Sequence, residues 1–481
     1  MTEPHSQFAS DGHRRPRPNR RIVIAGAGIA GLESLLALRA SAGEQVELRV
    51  VAPGEAFLHW PLSVADAFAG AGGGERDLGE LLRTQRAKRT VDVLASVDVD
   101  EQTVRTRAGE RIPYDELVVA VGGLAVPAVR GALAFRGLRD VPALRELHHE
   151  LEGRRISHVV FAAPESNAWP LPLYELAVLT AARIAAFALP AHVSLVTAER
   201  TPLARFGPAA GTAIARLFER RGIELHVESD PSGFRGGLLE LHGGGTLRAD
   251  RVVALPRLRG PAIDGLPHDD DGFLPIDELG RVPGADGVHV AGDAAASALK
   301  YGGLAAAQAD AVARTIAAAC GATVGPRPFS TIARGLLLTG EDPLYVRAEA
   351  MDDEACSAHG DGVHPCAQRR RRPETRLRPG ALWWPPASLA GPHLARHLPG
   401  PAGAHPSRRA LGPALDLLLL LADHDAWVGD HEMAVRSLDC AEAMAGRLPA
   451  HYVATRRRWL EAAEAQPRAF ARPCAPGASG P

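Results

Sequence analysis

The stretch Ile22-Val23-Ile24-Ala25-Gly26-Ala27-Gly28-Ile29-Ala30-Gly31-Leu32-Glu33 decides how the rest of the chain is read. Four apolar residues predict a buried strand, and three glycines spaced G-x-G-x-x-G lead into a helix expected over Gly31–Ala40. A glycine triplet alone is a weak signal, but between a strand and a helix it is the fingerprint of a dinucleotide-binding turn. Gly26 makes the tight turn, Gly28 lets backbone approach a pyrophosphate, and Gly31 lets helix and strand pack closely. The N–H groups that a helix leaves unbonded at its start then face the phosphates. An acidic residue about 20 positions further on would hold a ribose. Here the next strand ends Val50-Val51-Ala52-Pro53, and Glu55 just beyond is the nearest substitute.

Working outward, short Val/Ile/Ala runs alternate with longer apolar-periodic segments, the α/β pattern. Strands are expected at Arg21–Ala25, Val46–Ala52, Val91–Asp100, Thr103–Thr106 and Leu117–Val121. A second α/β unit follows, with strands at Ser157–Ala162, Val193–Thr197, Glu224–Val227 and Arg251–Leu255. Its helices are expected at Leu173–Leu189 and Gly211–Arg221, with a hairpin over Leu238–Leu247 around Gly243-Gly244-Gly245. A last strand, Gly287–Ala291, precedes a helix from Leu304 to Cys320. The expected fold is two Rossmann-like, doubly wound domains of FAD/NAD(P)-binding type with a C-terminal helical segment. The boundaries are a disordered leader at 1–19, a divided first domain at 20–128 and 262–320, and a second dinucleotide-type domain at 129–261. Beyond these come an interface segment at 321–400, a helical hairpin at 408–471 and a disordered tail at 472–481.

Composition narrows the function classes. The chain has 481 residues, 46% apolar and 23% charged, with 54 basic against 56 acidic residues and a net charge of −2. That balance excludes a general nucleic-acid binder. Only Lys88 and Lys300 are lysines; every other basic side chain is arginine. Five cysteines are no disulfide framework in so long a chain. The best apolar runs, Leu176–Leu189 and Leu411–Ala422, are too short to span a bilayer and carry Arg183 and Asp416. The basic N-terminus ahead of Ile22 imitates a signal peptide but runs into a glycine turn with no small-residue cleavage pattern.

Two further stretches carry chemistry. Gly287-Val288-His289-Val290-Ala291-Gly292-Asp293 puts a carboxylate at the C-terminal edge of a parallel strand, where ligands of such sheets bind. Val118-Val119-Ala120-Val121-Gly122-Gly123 stands between it and the first motif. The three pieces in this order resemble the two-dinucleotide-domain flavoproteins of the pyridine nucleotide–disulfide oxidoreductase superfamily over about residues 20–320. By that resemblance Gly26, Ala27, Gly28, Ile29, Ala30 and Gly31 hold the FAD pyrophosphate, with Ala52 beside them. Gly292 and Asp293 meet the ribityl–phosphate end, Val97 lies near the adenine, and Ala120 and Gly122 cross the cofactor. Within the superfamily the chain looks most like type II NADH dehydrogenases, sulfide:quinone oxidoreductases and flavocytochrome c sulfide dehydrogenases. Phe57-Leu58-His59-Trp60-Pro61-Leu62 and Lys300-Tyr301-Gly302-Gly303-Leu304-Ala305-Ala306-Ala307-Gln308-Ala309 carry that likeness. It implies that Trp60, Pro61, Lys300, Gly303 and Leu304 border the isoalloxazine ring. A helix starting near Gly303 would turn its positive end toward reduced flavin. Lys300 adds a full charge there or is a solvated surface lysine.

The second unit departs from the pattern. Its first strand runs into Ala163-Pro164-Glu165-Ser166-Asn167-Ala168-Trp169-Pro170-Leu171-Pro172, and no glycine occurs between Gly153 and Gly207. The expectation is a dinucleotide fold that has lost its ordinary NAD(P)H loop. Glu175 is read either as a helix-dipole partner or as a proton relay near the flavin. A sulfide-oxidising enzyme needs two cysteines flanking the flavin, and none precedes Cys320. Cys356, His359, His364 and Cys366 have metal-compatible ligand types at a spacing that matches no zinc module. They read as a polar loop, and no metal is expected. Trp383-Trp384-Pro385-Pro386 is a packing plug or an apolar face for a quinone or membrane. Gly429–Ala434 resembles the middle of a tetratricopeptide repeat, and one repeat is too few for a solenoid.

The sequence therefore points to an FAD-dependent oxidoreductase passing electrons from a small donor to an acceptor such as a quinone. The alternatives are an NAD(P)H dehydrogenase with an atypical donor site, a sulfide or persulfide oxidoreductase, and a flavin-binding interaction protein. The catalytic candidates are Lys300 and Glu175. The expected setting is cytoplasmic, with peripheral membrane contact and a homodimer both open.

Overall fold

The computed structural model describes residues 19–58, 63–69, 75–329, 332–339, 344–349, 374–377, 393–394, 438 and 450–464. The segments at 1–18, 59–62, 351–373 and 378–392 lie outside the described residues, as does most of 395–449 and everything after 464. With them go Trp60, Pro61, the Cys356–Cys366 loop, Trp383–Pro386 and the repeat-like Gly429–Ala434.

β1 (Arg20–Ala25) is the middle strand of a sheet in which every pairing is parallel. On one side lie β2 (Val46–Val51) and β5 (Lys88–Thr90). On the other lie β9 (Glu116–Val119) and β20 (Val288–Val290), giving the order β20-β9-β1-β2-β5. A strand buried on both faces needs an unbroken apolar run rather than an alternating one. Ile22, Val23, Ile24 and Ala25 supply it, all at most 1% exposed. α1 (Ile29–Ala42) and α7 (Gly302–Ala319) cover one face of this sheet together. α1 is apolar nearly all round, as expected of a helix wedged between a sheet and a second helix. The alanine-rich α7 has few large side chains to hold the two apart. Each fully buried Leu or Ile here contributes roughly 1.5–3 kcal/mol.

The opposite face is covered by an antiparallel meander of β6 (Leu94–Asp98), β7 (Thr103–Thr106) and β8 (Arg111–Pro113). Val97, Val104, Ile112 and Tyr114 join Val23, Val51 and Val119 in one core there. β3 (Ala56–Leu58) pairs with β4 (Glu75–Asp77), and α2 (Ser63–Ala69) and α3 (Leu78–Thr84) complete this half.

An antiparallel ribbon of β10 (Leu124–Pro127) and β19 (Pro256–Arg259) leads into and out of a second parallel sheet. That sheet has the order β11-β18-β12-β13-β14: β11 (Leu133–Ala134), β18 (Arg251–Ala254), β12 (His158–Ala163), β13 (His192–Thr197) and β14 (Ile223–His226). Three helices pack in its main core: α4 (Val141–Glu152), α5 (Leu171–Ala186) and α6 (Pro208–Arg221). A meander of β15 (Pro231–Arg235), β16 (Leu238–Leu241) and β17 (Thr246–Arg248) backs the other face through Leu239.

The C-terminal part adds an antiparallel sheet of β21 (Ile332–Leu337), β22 (Leu344–Glu349) and β23 (Glu374–Leu377). It packs on α5 and α6. The last helix among the described residues is α8 (Ala450–Glu464). No helix among the described residues is long and apolar enough to cross a membrane.

Candidate active site

The turn after β1 shows three glycines with three different reasons to be glycine. Gly26 has φ +110°, and a Cβ there would stand 2.1 Å from the Ala120 carbonyl oxygen. Its N–H donates to the Val51 carbonyl at 2.8 Å, which ties the turn to β2. A Cβ on Gly31 would stand 2.1 Å from the Gly26 carbonyl oxygen, so the first turn of α1 lies directly on the loop. Gly28 is the opposite: it is exposed, and a Cβ there would meet nothing within 4 Å. It is also the residue before α1, and no side chain caps that helix. The first N–H groups of α1 are therefore offered to whatever occupies the open space.

Two other segments close on this opening from the same sheet edge. Ala120 donates its N–H to the Ala25 carbonyl at 2.7 Å, and Val121, Gly122 and Gly123 follow it outward. Val121 is 37% exposed and Leu124 59%, large apolar side chains left open to solvent among the described residues. From β20, Ala291 donates to the Val119 carbonyl at 3.1 Å. Gly292 then abuts Ala30, and Asp293 abuts Gly123. The Gly292 N–H donates to Gln308 Oε1 at 2.8 Å, so a fully buried amide on α7 fixes the Gly-Asp turn against α1. Nothing in the sequence pattern marked Gln308 for this task, although it lies within the quoted Lys300–Ala309 stretch.

The geometry fits a dinucleotide such as FAD. A glycine opening takes the pyrophosphate, uncapped helix N–H groups face it, and a carboxylate stands across the crevice. Ala27 and Ile29 are partly exposed in the loop, while Ala30 and Ala52 are buried beneath it. Val97 lies inside the core, 4% exposed, with its N–H donated to the Asp264 carbonyl at 2.9 Å. Glu55 is exposed just past β2.

Lys300 is buried, 4% exposed, rather than solvated. Its ammonium donates to the Ala295 carbonyl and stands 3.7 Å from the centroid of the Phe273 ring. Burial lowers its pKa to about 8, against the pull of Asp293 and Asp269. The Asp293 carboxyl is pushed up by burial, partly offset by Lys300. The next residue, Tyr301, precedes α7, so Gly303 and Leu304 sit in that helix's first turn.

The loop after β12 meets this edge through a bridge between Ala168 and Lys300. Trp169 stacks on Tyr301 with centroids 4.5 Å apart and planes 19° apart. Glu175 lies in the second turn of α5, buried, and accepts the Leu338 N–H at 3.0 Å from just beyond β21. Burial pushes its pKa up to about 8, so it holds its proton at neutral pH.

Cys320 sits just past the far end of α7. Eighteen residues of helix put it about 27 Å from Tyr301. A hollow of about 440 Å³ lies at that same far end, lined by Glu116, Asp277, Arg281 and His289, and takes no part in the crevice. No group of three metal-type ligands is found among the described residues.

A family model described as pyridine nucleotide-disulphide oxidoreductase matches residues 20–315. The chain belongs to that family. It is an FAD-dependent oxidoreductase. No curated protein matches it. Among solved structures it is similar to the sulfide:quinone oxidoreductase of the hyperthermophilic bacterium Aquifex aeolicus. That match has TM-score 0.65 and 19% identity, over 75% of this chain and 87% of that one. It is also similar to a ferredoxin reductase from Rhodopseudomonas palustris, with TM-score 0.56 and 20% identity over 75% and 89%. A covalent putidaredoxin reductase–putidaredoxin complex matches with TM-score 0.55 and 21% identity over 69% and 82%. At these identities the oxidoreductase shares their fold.

Proposed function

We propose that this oxidoreductase takes electrons from a small donor and passes them to a two-electron acceptor such as a quinone, with FAD held at the Gly26–Gly31 turn. The observation that carries the reading is the convergence at one sheet edge of the open Gly28, the Gly292-Asp293 turn and the buried Lys300. When bound, FAD supplies the two-electron chemistry. The chain's own residues do the rest. Gly28 and the start of α1 bind the pyrophosphate, and Asp293 orients the ribityl end. Lys300 and the N-terminus of α7 place positive charge at the ring system. Glu175 holds a proton at neutral pH, as an acceptor that gains two electrons and two protons requires.

The same proposal takes residues 20–128 with 262–320 as the FAD domain, 129–261 as the second domain and 321–400 as the interface segment. It sets surface contact, with a membrane or a second copy, on α8, where Val453, Arg457 and Leu460 are exposed along one face. A sulfide or persulfide donor is the alternative; Cys320, the one cysteine among the described residues, lies at the far end of α7.

The test is purified protein. A yellow spectrum that dithionite bleaches, restored anaerobically by a short-chain ubiquinone, is the expected result. Bleached protein that oxygen restores but no quinone restores rejects the acceptor class. A Lys300→Met protein with an unchanged flavin potential removes Lys300 from the reading.

A further inference from the structure

A nicotinamide dinucleotide bound on the second sheet would need free N–H groups at the start of α5 for its pyrophosphate. It would also need an acidic group after β13 for its ribose and an open face for its ring. Each of these three places is filled by the chain itself.

At the phosphate position, Pro170 precedes α5, which opens Leu171-Pro172-Leu173. The two prolines have no N–H to give. The Leu173 N–H is spent on the Pro170 carbonyl at 3.0 Å, and Leu171 is 3% exposed. The loop ahead of it is fastened down. Asn167 donates to the Leu258 carbonyl and accepts the Leu258 N–H, both at 3.0 Å, and Ser166 donates to the Pro256 carbonyl at 2.9 Å.

At the ribose position stands Glu199, two residues past β13. Its carboxylate accepts the Tyr174 hydroxyl at 2.8 Å, the Leu203 N–H at 3.2 Å and the Ala204 N–H at 3.0 Å. A sugar diol would have to displace three donors already in place. At the ring position, Trp169 is stacked on Tyr301 and held edge-on by Phe206 at 5.4 Å.

The C-terminal hairpin seals these positions from above. A Cβ on Gly335 of β21 would lie 2.4 Å from Leu171 Cδ2 and 3.3 Å from Trp169 Cζ2, so the strand runs directly over the loop. Leu337, Leu344 and Val346 share one core with Leu171, Leu203 and Phe206.

We infer that the second sheet has exchanged a pyridine nucleotide for the chain's own β21–β22 hairpin, and that it takes no NADH or NADPH. The inference deepens the flavoprotein reading, on which it rests for the path of electrons, by excluding one class of donor. The test uses the full-length flavoprotein, titrated by calorimetry with NADH, NADPH and ADP-ribose, and watched anaerobically for bleaching by NADH. The expected result is no saturable heat and no bleaching, with prompt bleaching by dithionite. Trp169→Ala and the milder Trp169→Phe should likewise show no bleaching by NADH, because two closures remain. Saturable heat with ADP-ribose, or bleaching of the parent by NADH, overturns the inference while leaving the flavin reading intact. Bleaching of Trp169→Ala alone overturns the triple closure in favour of a single gate. Protein that never binds flavin sinks the flavin reading instead, and the ADP-ribose titration still decides the inference.

Discussion

β1 and β12 each stand in the middle of a five-stranded parallel sheet, and each runs through a short loop into the helix that covers it. The plan is repeated closely: β2 and β13 on one side, β9 and β18 on the other, a three-stranded meander behind each. The loops differ in chemistry. Gly26–Gly31 leaves an open hollow at Gly28 and an uncapped helix start. Pro164–Pro170 fills the equivalent place with an indole, removes N–H donors with proline and fastens itself to β19. The helices keep one common device. Glu33 and Glu175 are each the fifth residue of their helix, both are buried, and both accept backbone N–H groups from the C-terminal part of the chain. Glu33 takes His393 and Leu394 at 3.0 and 2.7 Å, and Glu175 takes Leu338. One architecture thus serves binding in one copy and closure in the other, and a few loop residues decide which.

The largest effect is expected from Gly26→Ala. The methyl group would collide with the Ala120 carbonyl in a backbone conformation that alanine resists, at a cost of roughly 4 kcal/mol or more. Loss of bound flavin together with a lowered thermal midpoint is the outcome to look for; a flavin-replete, equally stable variant would break the account of the first loop.

Glu175→Gln probes the shared device through pH. The native carboxyl keeps its proton to about pH 8, while in the unfolded chain it releases it near 4.5. The folded state therefore binds more protons across that window, and wild-type stability falls as pH rises from about 4.5 to 8, then levels off. The glutamine variant should lack this slope. At about 1.4 kcal/mol per pH unit the difference is on the order of 5 kcal/mol. Parallel urea midpoints for the two proteins across the window would remove the buried acid from the argument.

Gly28→Ala separates binding from folding. Its methyl group meets no protein atom, so stability should stay within about 1 kcal/mol of the parent, while FAD affinity falls about a hundredfold. Unchanged affinity would move the pyrophosphate elsewhere. The smallest effect belongs to the second loop. Asn167→Ala loses two hydrogen bonds to Leu258 and should destabilise by about 2 kcal/mol, read as a shift in denaturant midpoint.

The fold class was legible because it rests on runs of like residues. Ile22–Ala25 and Val159–Ala163 are apolar without interruption, and helices begin where glycine or proline breaks those runs. Element ends moved by one to three residues, as in α5, which spans Leu171–Ala186 rather than Leu173–Leu189, and α6, which starts at Pro208 rather than Gly211. α4 went unread although Val141, Leu144, Leu147, His148 and Leu151 carry helical spacing, and β5 is a short edge strand with no apolar run to mark it. The first loop could be read residue by residue because its function depends on the absence of side chains. The closure of the second loop could be read only in part. Proline and tryptophan are visible in a sequence, but the Tyr174–Glu199 pair depends on α5 crossing the end of β13. Likewise, whether Lys300 is buried or solvated depends on where Phe273 and Ala295 fall, and local pattern does not say.

The insertion of the second sheet between β9 and β20 also has a consequence during synthesis. All strands of the second sheet lie between residues 133 and 254, so that sheet can pair as soon as this contiguous stretch has left the ribosome, while its core waits for Leu337, Leu344 and Val346. The first sheet begins at residue 20 yet lacks an edge strand until residue 290, and α1 lacks its packing partner until α7 ends at residue 319. The glycine cradle is thus translated well ahead of the β20 and α7 residues that complete it. Its Gly292-Asp293 wall arrives only after every strand of the intervening sheet has been made.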